Sequence, residues 1–169
     1  QNSIVTGNIT IGKNTKPALA DTTLVVSLVP LLSGGTAAKG TSVPIQYLQI
    51  TNIGKVPATV KGFWVKQNGS ALTDVVIGLT TVDDKGGSRG ASSGTKDSPL
   101  FNQGLAFVPI TDGLFAPRQM RLFTIKAVIA SAIGLSAGTQ LKLDVSSVRA
   151  DATIKGLFPI RGTTWTLVN

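Results

Sequence analysis

Eight aspartates are the only acidic residues in this 169-residue sequence, and neither His nor Cys stands beside them. With Glu missing as well, thiolate nucleophiles, Ser-His-Asp triads, imidazole bases and zinc or haem sites built on Cys or His are all removed. Asp, Lys, Tyr and hydroxyl groups are what remain for chemistry. A pair of carboxylates can hydrolyse a glycoside, and paired aspartates are the one set here that suits a reaction. Yet Asp74, Asp83, Asp84, Asp97, Asp112 and Asp151 all fall in or beside expected turns. There an Asp side chain accepts hydrogen bonds from nearby backbone amides, which explains these residues without catalysis. The chain is therefore expected not to be an enzyme, and no cofactor is implied.

Asp83, Asp84 and Asp97 lie in a stretch rich in Gly and Ser, residues 83–99, that reads as a long flexible loop. Their hard oxygens would suit calcium, but the alternating acidic spacing that ends in Glu is missing, so no metal site is assigned. Trp64 and Trp165 are the candidate aromatic platform for stacking sugars or bases. In the Phe63-Trp64-Val65 run, strand alternation puts Trp64 on the face opposite its neighbours. The formal charge of +8 would attract an anionic cell-wall polymer or glycan. Because Lys13, Lys16, Lys39, Lys55, Lys61 and Lys66 are scattered singly, no specific nucleic-acid partner is expected.

Leu, Ile, Val, Thr and Phe occur in short segments punctuated by Gly, Pro, Asn and Ser, a pattern that predicts about eight strands in an antiparallel β-sandwich, immunoglobulin-like or jelly-roll. Besides an N-terminal strand at residues 4–11, the expected strands are residues 23–32, 44–52, 56–67, 70–79, 100–110, 119–130, 140–148 and 163–168. Residues 23–32 are nearly continuous in apolar side chains, which implies burial on both faces or contact with a partner. Leu141, Leu143 and Val145 alternate with Lys142 and Asp144, marking one buried face. Asn68-Gly69 predicts a two-residue hairpin turn between residues 63–67 and 70–79.

Two units follow from this pattern. Residues 22–169 form the sandwich, and residues 1–21 hold an N-terminal strand followed by a linker with Pro17. Ile4, Val5, Ile9 and Ile11 make that strand a candidate assembly element, able to add to the open sheet edge of a neighbouring subunit. The competing expectation is that it pairs within its own domain. Gln at position 1 is read as the product of signal-peptide cleavage, hence a secreted or cell-surface location. No apolar run approaches the roughly 20 residues of a membrane helix, so no membrane span is expected.

Residues 48–65, LQITNIGKVPATVKGFWV, resemble the T-N-x-G-x-x-x-A strand-turn-strand of immunoglobulin-like surface domains of secreted prokaryotic proteins, with Thr51, Asn52, Gly54 and Ala58 at the matching positions. Residues 114–125, LFAPRQMRLFTI, resemble the later turn and strand of the same domains through Ala116, Pro117, Phe123 and Ile125. Arg118 stands where those domains usually have Gly. The resemblance covers about half of the chain and implies a fold shared by S-layer, adhesin and extracellular filament subunits, without transferring any site residue. The expected function is a structural subunit that assembles by strand addition into a homopolymer. The alternative is a non-catalytic carbohydrate or cell-wall binding module.

Overall fold

The computed structural model describes residues 22–30 and 33–169. Among them are twelve strands: β1 (Thr23–Leu28), β2 (Thr36–Ala38), β3 (Ser42–Asn52), β4 (Ala58–Gln67), β5 (Val76–Asp83), β6 (Ser88–Ser93), β7 (Leu105–Pro109), β8 (Leu114–Phe115), β9 (Met120–Ile129), β10 (Gln140–Ala150), β11 (Thr153–Lys155) and β12 (Thr164–Val168). One sheet runs β11-β1-β3-β9-β5-β6 and the other β2-β12-β10-β4-β7, with β8 paired to the start of β4. All neighbours are antiparallel except β1 with β11 and β12 with β2. The chain is thus an all-β sandwich, as its alternating pattern predicts. Eight of the expected strands are present, and β2, β6, β8 and β11, which the pattern does not predict, complete the sheets.

Alternation decides which side chains meet between the sheets. Leu48 and Ile50 of β3 and Leu141, Leu143 and Val145 of β10 are fully buried, while Gln49 and Lys142 on the opposite faces are not. Phe63 from β4 and Phe115 from β8 approach Phe123 of β9 with ring centroids 6.3 and 6.1 Å apart, locking the two sheets at their centre. Each such buried side chain contributes about 1.5–3 kcal/mol by leaving water. The apolar run in β1 behaves differently from its expectation of burial on both faces. Leu24 and Val26 are buried, but Leu28, next on the same face, is 44% exposed. The run outlasts the cover that the fold provides.

Residues 116–119 form a tight turn between β8 and β9. Gln119 N donates to Ala116 O at 3.1 Å and Ala116 N to Gln119 Oε1 at 2.9 Å, with Pro117 and Arg118 between. Arg118 has φ 65°. A type II turn requires positive φ at its third residue, where Gly carries no Cβ penalty. Arg118→Gly is accordingly expected to raise stability by about 0.5–1 kcal/mol, the left-handed strain being partly offset by the greater freedom of Gly in the unfolded chain. Chemical denaturation of the two proteins checks this, and a less stable variant would contradict it.

Two sequence expectations are corrected. Asn68-Gly69 does not close a hairpin, because β4 and β5 belong to different sheets. Asn68 N donates to Lys142 O at 2.8 Å and Ala71 N to Gln140 O at 2.9 Å, so the chain keeps following β10 before crossing over through Thr73–Val75. The Asn68 side chain is meanwhile drawn to Asp144 Oδ2 at 2.7 Å. Residues 83–99 are likewise not one long loop. Their Ser- and Gly-rich centre is β6, an edge strand paired to β5, and polar small residues suit a strand that does not face the core.

Candidate functional site

Asp83 ends β5 and organises the turn into β6. Its Oδ1 accepts from Lys85 N at 3.0 Å and from Gly87 N at 2.8 Å, while its Oδ2 accepts from Arg89 Nε at 2.7 Å. The Gly87 amide above all, followed by the Arg89 guanidinium, holds the carboxyl below its ordinary value against the opposing effect of burial. Both oxygens are therefore committed to the hairpin. Asp84 is exposed beside it, and Asp97 lies beyond the far end of β6, so the structure does not bring the three calcium candidates together. Among the described residues there is no group of three or more acidic, His or Cys side chains placed to hold a metal.

A lowered carboxyl value stabilises the fold at every pH above the unfolded value near 4, and that stabilisation is lost as pH falls through the folded value. Thermal melts from pH 7 to pH 2 should therefore show an acid-induced loss below about pH 4 that is smaller in Asp83→Asn than in the parent. Equal acid dependence in both proteins would remove Asp83 from this role. Asp151 and Asp144 act in the same structural manner. Asp151 Oδ1 accepts from Thr59 N at 2.6 Å, and Asp144 Oδ1 from Gly162 N at 2.7 Å.

The two tryptophans are not brought together. Trp64 points outward from β4 and is 38% exposed, with Phe63 and Val65 buried on either side of it. Its ring lies 5.0 Å from that of Phe107 on β7, and Phe107 in turn covers Gly62. Trp165 lies on β12, where its Nε1 donates to Pro44 O at 2.8 Å beside Tyr47 and Val29. The candidate platform thus reduces to Trp64 with Phe107, flanked on β4 by the exposed Lys61 and Lys66.

The sheet edges differ in how they are finished. Along one side β6 meets the end of β7, where Thr111 Oγ1 donates to Arg89 O at 2.9 Å and ties the two sheets together. On the other side β11 covers only part of β1. Its register runs Thr23–Thr153, Leu24–Ile154 and Val25–Lys155, and there it stops. Residues 26–28 of β1 consequently have no strand on that flank among the described residues. Beyond β11 the chain turns through residues 156–161, exposing 93% of Leu157 beside this edge. Sequence reasoning missed both β11 and this loop. Leu157-Phe158 between Gly156 and Pro159 was the available signal. Ile4, Val5, Ile9 and Ile11 lie outside the described residues.

No protein-family model and no curated protein matches this chain. Similar solved structures do exist. One, described as "AvmM Catalyzes Macrocyclization in Alchivemycin A Biosynthesis", has a TM-score of 0.45 and 9% identity over 86% of this chain and 89% of that one. Another, described as the "ASH / PapD-like domain of human CEP192 (PapD-like domain 7)", has a TM-score of 0.32 and 12% identity over 98% of this chain and 94% of that one. The first of these corrects the expectation that the chain is not an enzyme. That structure is described as a catalyst of macrocyclization, so the expectation is not retained. At these scores neither likeness assigns a reaction, a ligand or a residue.

Proposed function

We propose that this chain is a structural subunit of an extracellular filament, pilus-like fibre or surface layer, built by β-strand addition between identical subunits. The observation that carries the reading is the end of β1, whose outer flank has no strand among the described residues. An unpaired strand edge is a template for another strand, and folded domains ordinarily blunt such edges with charge, Pro or a covering loop. Here the edge is lined by an apolar side chain, Leu28, that the fold itself leaves 44% exposed. The N-terminal segment with Ile4, Val5, Ile9 and Ile11 supplies a β-prone strand to match it. The resemblance of residues 48–65 and 114–125 to immunoglobulin-like surface domains points the same way.

Removing residues 1–13 is expected to abolish polymers while leaving a folded, monomeric sandwich. Sedimentation velocity with far-ultraviolet circular dichroism reads both properties. Polymers formed by the truncated chain would overturn the mechanism. A second reading, binding of a carbohydrate or an anionic cell-wall polymer, is supported by Trp64 stacked on Phe107 beside Lys61 and Lys66. The same truncated chain separates the readings, because the polymer-binding surface on β4 would survive the deletion.

A further inference from the structure

Beside the uncovered end of β1 lies a groove of about 500 Å3, with Val25, Val26 and Leu28 forming one wall and Leu157, Pro159 and Ile160 the other. Resting on the assembly reading above, we infer that this groove is the acceptor site for the N-terminal segment of a second copy of the chain, with Val5, Ile9 and Ile11 on the face that enters it.

The fit begins with the backbone. β11 leaves β1 at the Val25–Lys155 pair, so the groove opens where the ladder of β1 loses its partner. A strand entering there meets main-chain groups to pair with and apolar walls to pack against, the combination by which strand addition obtains both affinity and specificity. The uncovered Leu28 and Leu157 stand on opposite walls. In an extended chain, successive side chains alternate between faces. Val5, Gly7, Ile9 and Ile11 would then share one face, with Ile4 at the strand start and Thr6, Asn8 and Thr10 on the other. The apolar face matches the groove and the polar face suits water.

The point at which the segment joins β1 allows exchange between copies. Residues 1–21 run directly into β1, so a strand folded straight back onto its own β1 would meet β11, which already occupies Thr23, Leu24 and Val25. The ten residues 12–21 reach at most ~33 Å when extended, enough to carry the donor strand onto a neighbouring molecule instead. Donor and acceptor are then different surfaces of each subunit. Such a head-to-tail contact need not close and generates a filament.

Because the sequence holds no cysteine, the contact can be read by crosslinking without background. Full-length chains carrying Ile9→Cys and one affinity tag would be mixed, under assembly conditions, with chains carrying Leu157→Cys and another tag, then treated with a short bis-maleimide. Leu157 is 93% exposed, so its replacement leaves the fold undisturbed. Leu72→Cys, also on an exposed side chain but on the crossover between β4 and β5, serves as the control. Linked pairs bearing both tags should exceed the Leu72 control by at least about tenfold, since assembly raises the local thiol concentration toward the millimolar range. In a chain carrying both Ile9→Cys and Leu157→Cys, a product linked only within single molecules would overturn the exchange. Polymers visible by electron microscopy without enrichment at Leu157 would place the acceptor elsewhere and leave strand addition standing. Absence of any polymer would instead remove the assembly reading itself.

Discussion

Gly62→Val is expected to cost about 4 kcal/mol or more of unfolding free energy, among the larger effects a single substitution produces. Gly62 lies in the middle of β4, opposite Pro109 of β7. A Cβ at this position would overlap both the Phe107 ring and the carbonyl oxygen of Val108. The ring could rotate away, but the carbonyl belongs to the paired strand and moves only if the ladder between β4 and β7 opens. For a chain of this length, the loss corresponds to a melting temperature lowered by about 8–16 °C. A second readout follows from the contact between Phe107 and Trp64 at 5.0 Å. Displacing Phe107 exposes Trp64 further, so tryptophan emission should shift to the red before unfolding. A variant with parental stability and emission would show that β7 has room to retreat.

Asn52→Ala is expected to cost about 3 kcal/mol, because it removes a side chain that satisfies three backbone groups at once. Asn52 is fully buried at the end of β3. Its Nδ2 donates to Val56 O at 2.9 Å and to Phe115 O at 3.3 Å, and its Oδ1 accepts from Gly54 N at 2.9 Å. The residue thus closes the turn from β3 to β4 and also pins β8. Alanine leaves those three groups facing the hole left by the amide. Urea denaturation should show a lower midpoint with an unchanged slope, as for a loss of native interactions alone. A cost below about 1 kcal/mol would mean that water enters and replaces the amide.

Asn52 also shows how much of the fold could be read from the residues. The strand-turn-strand expected over residues 48–65 contains it, and its hydrogen bonds give the physical reason that this turn takes Asn. Alternation was equally informative in β3 and β10, because a half-buried strand repeats every two residues whatever its neighbours are. Short strands escaped for the complementary reason. β2 and β11 hold three residues each and are defined by parallel partners distant in sequence, so no local period marks them. Asn68-Gly69 misled because its turn preference was outweighed by the Asp144 side chain and the ladder to β10.

The candidate site was legible in one half and silent in the other. The proposed donor segment is marked by Val5, Ile9 and Ile11, whose apolar character needs no structure to recognise. The proposed acceptor depends on where β11 stops and on how residues 156–161 pass beside Val26, which are outcomes of long-range pairing. Exposure is likewise a property of the assembled sheets. Nothing in the run Leu24-Val25-Val26-Ser27-Leu28 distinguishes the buried Leu24 from the uncovered Leu28.

Negative-stain electron microscopy of the intact chain, with light scattering across a range of concentrations, tests the central claim most directly. The account predicts regular filaments or layers whose mass grows with concentration and which disappear when residues 1–13 are removed. A strictly monomeric intact chain at every concentration would contradict it.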